Sequence, residues 1–169
     1  MKTFKKYIKS VNACQTAIDW AGDKPVEQVV AECHRGDWLL WLAQKCGVEF
    51  QPLTLAKGHC ANTVRHLMTD ERSLRAVDVA IAFGEGRATR EELDAAYAAA
   101  VAAADAADAA YAAAYAAAYA TSAADAAAAA YAAASAAASA ADAQHATADI
   151  CRKYIGELII QKVTPTPHP

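Results

Sequence analysis

Lysine and arginine are missing from a long segment of this 169-residue chain. Residues 91–150 contain eight acidic residues and neither lysine nor arginine, whereas the whole chain has a net charge of only −3. Because binding to nucleic-acid phosphates requires clustered cations, this absence excludes a basic nucleic-acid-binding protein of the usual kind. We therefore expect no direct contact with nucleic acid.

Long apolar runs are also missing from the sequence. The basic residues 1–15 lack the continuous apolar stretch of a signal peptide. The alanine-rich second half has an aspartate every few residues, and burying those carboxylates in a bilayer is costly. The sequence predicts no transmembrane helix and no membrane partner.

The cysteine pattern argues against a disulfide framework and against zinc. Five cysteines are an odd number, and no two of them form a Cys-x-x-Cys pair. This usage is typical of reduced thiols, so we expect a cytoplasmic protein. His34 follows Cys33 and His59 precedes Cys60, but these spacings match no zinc-ligand pattern. We expect small buried cysteines on helix faces and no bound metal.

Motifs for catalysis are absent as well. The sequence has no Gly-x-Ser-x-Gly, no His-Glu-x-x-His and no glycine-rich phosphate loop. The Gly84-Glu85-Gly86 segment indicates a helix stop, because no strand pattern precedes it and no phosphate-binding lysine follows it. Two interpretations stay open for Trp20, Trp38 and Trp41, which either line a ligand pocket or form part of the core. We expect no catalytic residue, no cofactor and no enzymatic activity.

Alanine dominates what the chain does contain. Residues 95–149 are 55 in number, and 37 of them are alanine, the strongest helix former. A strand-rich fold is therefore excluded for this half. Alanine buries little apolar area, so the core must come from residues 1–94 and the apolar run 150–163. The sequence predicts an all-α fold.

The helix signals divide the chain into three parts. Residues 1–88 predict a bundle of short helices, with Asp37 and Asp70 as N-caps. Residues 89–92 form a capping box that begins an alanine-rich helix. An unbroken helix to residue 160 would be about 108 Å long, far more than the diameter of a compact domain. Residues 89–163 therefore predict a helical hairpin and a C-terminal helix, with a break between about 121 and 131, and residues 164–169 a flexible tail.

One face of the alanine-rich segment carries tyrosines and aspartates. At 100° per residue the larger side chains lie within about 120° of one another. We call this set the tyrosine–aspartate face: Tyr97, Asp105, Asp108, Tyr111, Tyr115 and Tyr119. Tyrosine is a preferred interface anchor, and aspartates attract a basic partner. We predict partner binding by Asp105, Asp108, Tyr111, Tyr115 and Tyr119; the alternative is that the tyrosines pack on the N-terminal bundle as core.

Three sequence signatures resemble a known family. They are Ala13-Cys14 with Trp20, the tryptophan-rich block Cys33–Leu42, and residues 86–93 running into repeats of AAYA type. Together they resemble the bacterial and phage-borne immunity proteins of polymorphic toxin systems, over nearly the whole chain. The resemblance implies a non-catalytic protein that binds a cognate toxin and blocks it.

Two other functions fit the same residues. An acidic face is also typical of a phage anti-defence protein that binds a defence protein by mimicking nucleic-acid charge, although eight acids over 60 residues are sparse beside duplex DNA. Alanine faces are also typical of a structural protein that self-associates into a homo-oligomer. The first function requires a salt-sensitive complex, and the second requires a mass above that of the monomer.

Overall fold

A computed structural model of the chain describes residues 4–63, 65–100, 102 and 144–164. These residues form helices joined by short turns, and none of them lies in a β-strand. The predicted all-α fold is therefore confirmed. The break predicted between about 121 and 131, and residues 165–169 of the predicted tail, lie outside the described residues.

Eight helical segments follow one another in the described part of the chain. They are α1 (Phe4–Ser10), α2 (Gln15–Ala21), α3 (Val26–Glu32), α4 (Gly36–Lys45), α5 (Phe50–Asn62), α6 (Glu71–Gly84), α7, which is helical over 90–100, and α8, which is helical over 144–163. A 3₁₀ turn, Arg65–Leu67, precedes α6. Within α8 the turn Arg152–Gly156 is π-helical and leads into Glu157–Val163.

Several helix ends follow their local sequence signals. The Asp70 carboxylate accepts a hydrogen bond of 2.8 Å from the backbone N–H of Arg72, so Asp70 is the N-cap of α6 as predicted. At the start of α7, Glu92 N–H donates to Thr89 Oγ1 at 3.2 Å, and Thr89 N–H donates to Glu92 Oε2 at 2.8 Å. This reciprocal pair is the predicted capping box.

The predicted start of α4 is wrong. Asp37 lies inside the first turn, Gly36 is the first helical residue, and Arg35 occupies the N-cap position without a side-chain cap. The Asp37 carboxylate instead accepts two hydrogen bonds from the Arg35 guanidinium, at 2.8 and 2.6 Å. A bidentate charged pair is stronger than a single capping hydrogen bond. The Asp37 carboxylate therefore pairs with Arg35 instead of capping α4.

The C-terminal helix contributes the centre of the core, as its apolar composition predicted. Ile155 and Ile159 in α8 are completely buried, together with Leu39 of α4. Residues Glu157–Val163 pack against α3 and α4, and the π-helical turn packs against α5. Tyr154 and Leu158 of the same helix are half-buried and pack against this core.

Close packing between α5 and α6 makes a platform on which α7 begins. A Cβ added at Gly84 would lie 2.6 Å from Leu55 Cα, so only glycine permits this approach of the two helices. Phe50 and Phe83 meet edge to face, with their ring centroids 5.6 Å apart. The boundary predicted between residues 88 and 89 stays a prediction.

Candidate functional site

The predicted binding residues Asp105, Asp108, Tyr111, Tyr115 and Tyr119 lie outside the described residues. Tyr97, the first tyrosine of the tyrosine–aspartate face, is described, and 68% of its surface is exposed. Ala96 beside it is buried. At this position the chain therefore turns its alanine inward and its tyrosine outward, which is the orientation that the binding interpretation requires at Tyr97.

The start of α7 is fixed on the α5–α6 platform. The Arg90 guanidinium carbon lies 4.4 Å from the centroid of the Phe50 ring, a cation–π contact between α7 and α5. Gln51 of α5 donates a hydrogen bond of 3.2 Å to the carbonyl of Phe83 in α6. Together with the capping box, these contacts set the direction in which α7 leaves the platform.

The first charges of α7 are divided between local contacts and solvent. Arg90 pairs with Asp94 one turn later, with 2.9 Å between Arg90 Nε and Asp94 Oδ1. Glu92 belongs to the capping box, whereas Glu91 is exposed. Beyond Arg90 the sequence has no lysine or arginine until Arg152, which pairs with Asp149 one turn before it.

A cavity of about 400 Å³ lies among α1, α2, α3 and α4. The three tryptophans of the sequence line it, and they do so with Phe4, Ile8 and Cys14. Trp20 and Trp38 meet edge to face with 6.0 Å between ring centroids. All three tryptophans are half-buried and pack against the core, so the core interpretation of these residues is confirmed, and a ligand pocket stays a prediction.

Two of the tryptophan rings at this cavity make cation–π contacts with basic side chains. Lys24 Nζ lies 4.1 Å from the Trp20 ring centroid, and the Arg35 guanidinium carbon lies 4.9 Å from that of Trp38. The hydrogen bonds from Arg35 hold the pKa of the Asp37 carboxyl below its usual range. The acid at the cavity is thus neutralised by an arginine from the same turn.

Sequence reasoning found the tryptophans of this cavity but missed its other walls. Phe4 and Ile8 come from α1, and Cys14 and Ala17 come from the start of α2. Each has the helical apolar spacing of an ordinary core residue. No local signal distinguishes a side chain that fills a core from one that lines a gap within it, because that depends on how four helices pack.

The five cysteines lie in different environments. Cys33 and Cys151 are buried, as predicted for small residues on helix faces, while Cys46 and Cys60 are half-buried and Cys14 is exposed. Burial raises the pKa of the Cys33 and Cys46 thiols. Cys60 and Cys151 lie in contact, which their separation of 91 positions gave no means to predict.

Histidines contact aromatic or histidine rings in the described residues. The His34 and His145 ring centroids are 5.5 Å apart, and His59 stacks on Tyr154 at 4.5 Å with 5° between the ring planes. In the part of the chain that the structure describes, no three His, Cys, Asp or Glu side chains group as metal ligands would. No helix among these residues has the length and apolar character needed to cross a bilayer.

Comparisons with family models, with curated proteins and with solved structures find no match to this chain.

Proposed function

We propose that this protein is a non-catalytic binding protein of the immunity type, which recognises a basic cognate toxin and blocks it. The tyrosine–aspartate face is the proposed contact surface. The observation that carries the proposal is the exposure of Tyr97, a large aromatic side chain directed to solvent at the first position of that face. Exposed tyrosines are typical anchors of protein–protein interfaces.

Charge supports a basic partner. Residues 91–150 have a net charge of −8, which attracts cationic surfaces and accelerates their association. The anchoring of α7 through Arg90 and Phe50 supports the same function at Tyr97, because a side chain carried on a fixed helix loses less entropy when it binds. A toxin with a cationic surface, such as one that acts on nucleic acid, fits this face.

Capture from a lysate of the source cells tests the proposal. The bait is the full chain as wild type, as the variant with alanine at Asp105, Asp108, Tyr111 and Tyr115, and as a control. The control, Asp19→Ala with Glu27→Ala, removes the same number of acidic charges from exposed positions in the N-terminal bundle. We expect wild type and control to capture one protein that the four-site variant does not capture, with equal helicity by far-ultraviolet circular dichroism in all three.

A growth assay then distinguishes a toxin from any other partner. The captured protein should stop growth when it is expressed alone, and co-expression of the wild type should restore growth while the four-site variant should not. A partner without effect on growth would refute the immunity function. Equal protection by the four-site variant would keep the function and refute the assigned face.

Salt and mass measurements distinguish the alternatives. An anti-defence protein would capture a defence component rather than a growth inhibitor, and its complex would weaken steeply with salt. A self-associating structural protein would give a multimeric mass in light scattering and would capture only copies of itself.

A further inference from the structure

Two thiols meet where α5 packs against α8. Cys60 Sγ and Cys151 Sγ are 3.9 Å apart, the contact distance of two hydrogen-bonded sulfurs. By contrast, Cys33 and Cys46 donate to the backbone carbonyls of Arg35 and Ala43 in their own part of the chain. The pair is therefore the one close approach of two thiols among the described residues.

The two members of the pair differ in access to solvent. Cys151 is completely buried, whereas Cys60 is half-buried near the end of α5. A backbone carbonyl oxygen also lies near each of the two sulfurs. Thr147 O lies 3.7 Å from Cys60 Sγ, and Gly36 O lies 3.6 Å from Cys151 Sγ. A dissolved oxidant therefore reaches Cys60 first.

Acidity follows the same order as access. The hydrogen bond between the two thiols lowers the pKa of Cys60 and raises that of Cys151, and burial raises the pKa of Cys151 further. Because the thiolate is the form that attacks a disulfide, the sulfur that ionises more readily is also the one that an oxidant meets.

We propose that Cys60 and Cys151 are a redox site that forms a reversible intramolecular disulfide with low-molecular-weight disulfides such as oxidised glutathione. The Cys60 thiolate attacks one sulfur of the reagent, and the reagent's sulfur–sulfur bond breaks to release one thiolate. Cys151 then loses its proton to the released thiolate and attacks Cys60 Sγ, which expels the second reagent thiolate. The two protein thiols are oxidised by two electrons, and one reagent disulfide becomes two thiols.

A modest movement completes the bond. A disulfide has a sulfur–sulfur distance of about 2.05 Å, so the sulfurs must approach by roughly 2 Å from their observed contact. Cys60 lies two residues before the last residue of α5, and Cys151 directly precedes the π-helical turn of α8. A position near a helix end and one beside a π-helical turn both favour side-chain rotation combined with a small backbone shift.

The cross-link would enclose the alanine-rich segment. Residues 61–150 lie between the two cysteines and contain all of residues 95–149. A disulfide therefore joins the two ends of this segment and stabilises the fold by restricting the unfolded chain. This redox site goes beyond the proposed function and does not depend on it.

Peptide mapping of the folded full chain tests the redox site. The protein is equilibrated with mixtures of reduced and oxidised glutathione, alkylated with N-ethylmaleimide and digested with trypsin. Cleavage isolates Cys60 in peptide 58–65 and Cys151 in peptide 91–152, because no lysine or arginine interrupts either peptide. We expect these two peptides to become cross-linked in oxidising mixtures and to separate again in reducing ones.

Cysteine variants identify the order of the steps. Cys151→Ala should retain one glutathione on Cys60, and Cys60→Ala should leave Cys151 unmodified because that thiol is buried. Cys33→Ala is the matched control, a buried cysteine outside the pair, and it should form the same cross-link as the wild type. Circular dichroism verifies the fold of each variant. If a variant does not fold, the peptide map of the wild type tests the proposal on its own.

Two results would overturn the proposal. One is recovery of the Cys60 and Cys151 peptides without a cross-link between them after the folded wild type is equilibrated with oxidised glutathione. The other is cross-linking through Cys14, the exposed cysteine, in place of the pair. As an independent measurement, the oxidised protein should unfold at a higher urea concentration than the reduced protein, and equal midpoints would contradict a cross-link that encloses residues 61–150.

Discussion

Gly36 lies directly against Thr147, so that a Cβ added at residue 36 would fall 2.7 Å from the Thr147 carbonyl carbon. This contact joins the first turn of α4 to the start of α8, residues separated by the whole alanine-rich segment. Cys151 Sγ lies 3.6 Å from the Gly36 carbonyl oxygen at the same junction. The backbone approach at Gly36 is thus one condition for bringing Cys151 next to Cys60.

Gly36→Ala should therefore destabilise the protein. The added methyl group overlaps the backbone of Thr147 as well as its side chain, so we expect a loss of about 1–3 kcal/mol in the free energy of unfolding. Urea unfolding measures this loss. Gln44→Ala, at an exposed position of the same helix, should change the stability by less than about 0.5 kcal/mol. Equal stability of the two variants would show that α8 does not pack on Gly36 in solution.

Ile155→Ala should show that α8 belongs to the core of the N-terminal bundle. Ile155 has no exposed surface, and truncating a buried isoleucine to alanine costs about 2–5 kcal/mol through lost burial and the cavity left behind. Gln161→Ala, exposed on the same helix, should cost less than about 0.5 kcal/mol. A small effect at Ile155 would mean that the bundle folds without α8.

Asp70 should titrate well below an ordinary aspartate. Hydrogen bonds from the side chain and backbone of Arg72 lower the pKa of the Asp70 carboxyl from 3.8 to about 2. A carboxyl pKa that is lower in the folded than in the unfolded state stabilises the fold at pH values above about 4. This contribution to stability is lost as the pH falls from near 4 through about 2. In Arg72→Ala the titration midpoint of Asp70, measured by NMR, should move upward. The Asp78 midpoint, which Arg65 lowers, should not move.

Substitutions at Tyr97 and Phe50 should distinguish an effect on partner binding from an effect on the stability of the fold. Both are exposed large apolar residues, but Phe50 contacts Phe83 and Arg90, whereas Tyr97 is 68% exposed. Tyr97→Ala should leave the free energy of unfolding within about 0.5 kcal/mol and weaken partner binding about tenfold or more. Phe50→Ala should lower the free energy of unfolding by about 1–2 kcal/mol and, because Phe50 only anchors α7, weaken binding less than Tyr97→Ala does. The reverse pattern would place the contact surface on the bundle.

Features of the fold that depend on neighbouring residues could be predicted from the sequence. Alanine content determined the all-α class, and the Thr89–Glu92 capping box and the Asp70 N-cap determined where two helices begin. These signals are reliable because the donor and acceptor lie within one helical turn. Even so, one local signal failed, since Asp37 pairs with Arg35 instead of capping α4.

Contacts between distant residues could not be predicted from the sequence, because they depend on how the helices pack together. Three features of the structure join positions far apart in sequence. They are the contact between Cys60 and Cys151, the contact of Gly36 with Thr147, and the packing of α1 to α4 around the tryptophans. Their spacing carries no periodic signal, because such contacts arise when whole helix faces are buried together. Ile155, in the π-helical turn of α8, is buried in this way at the centre of the core.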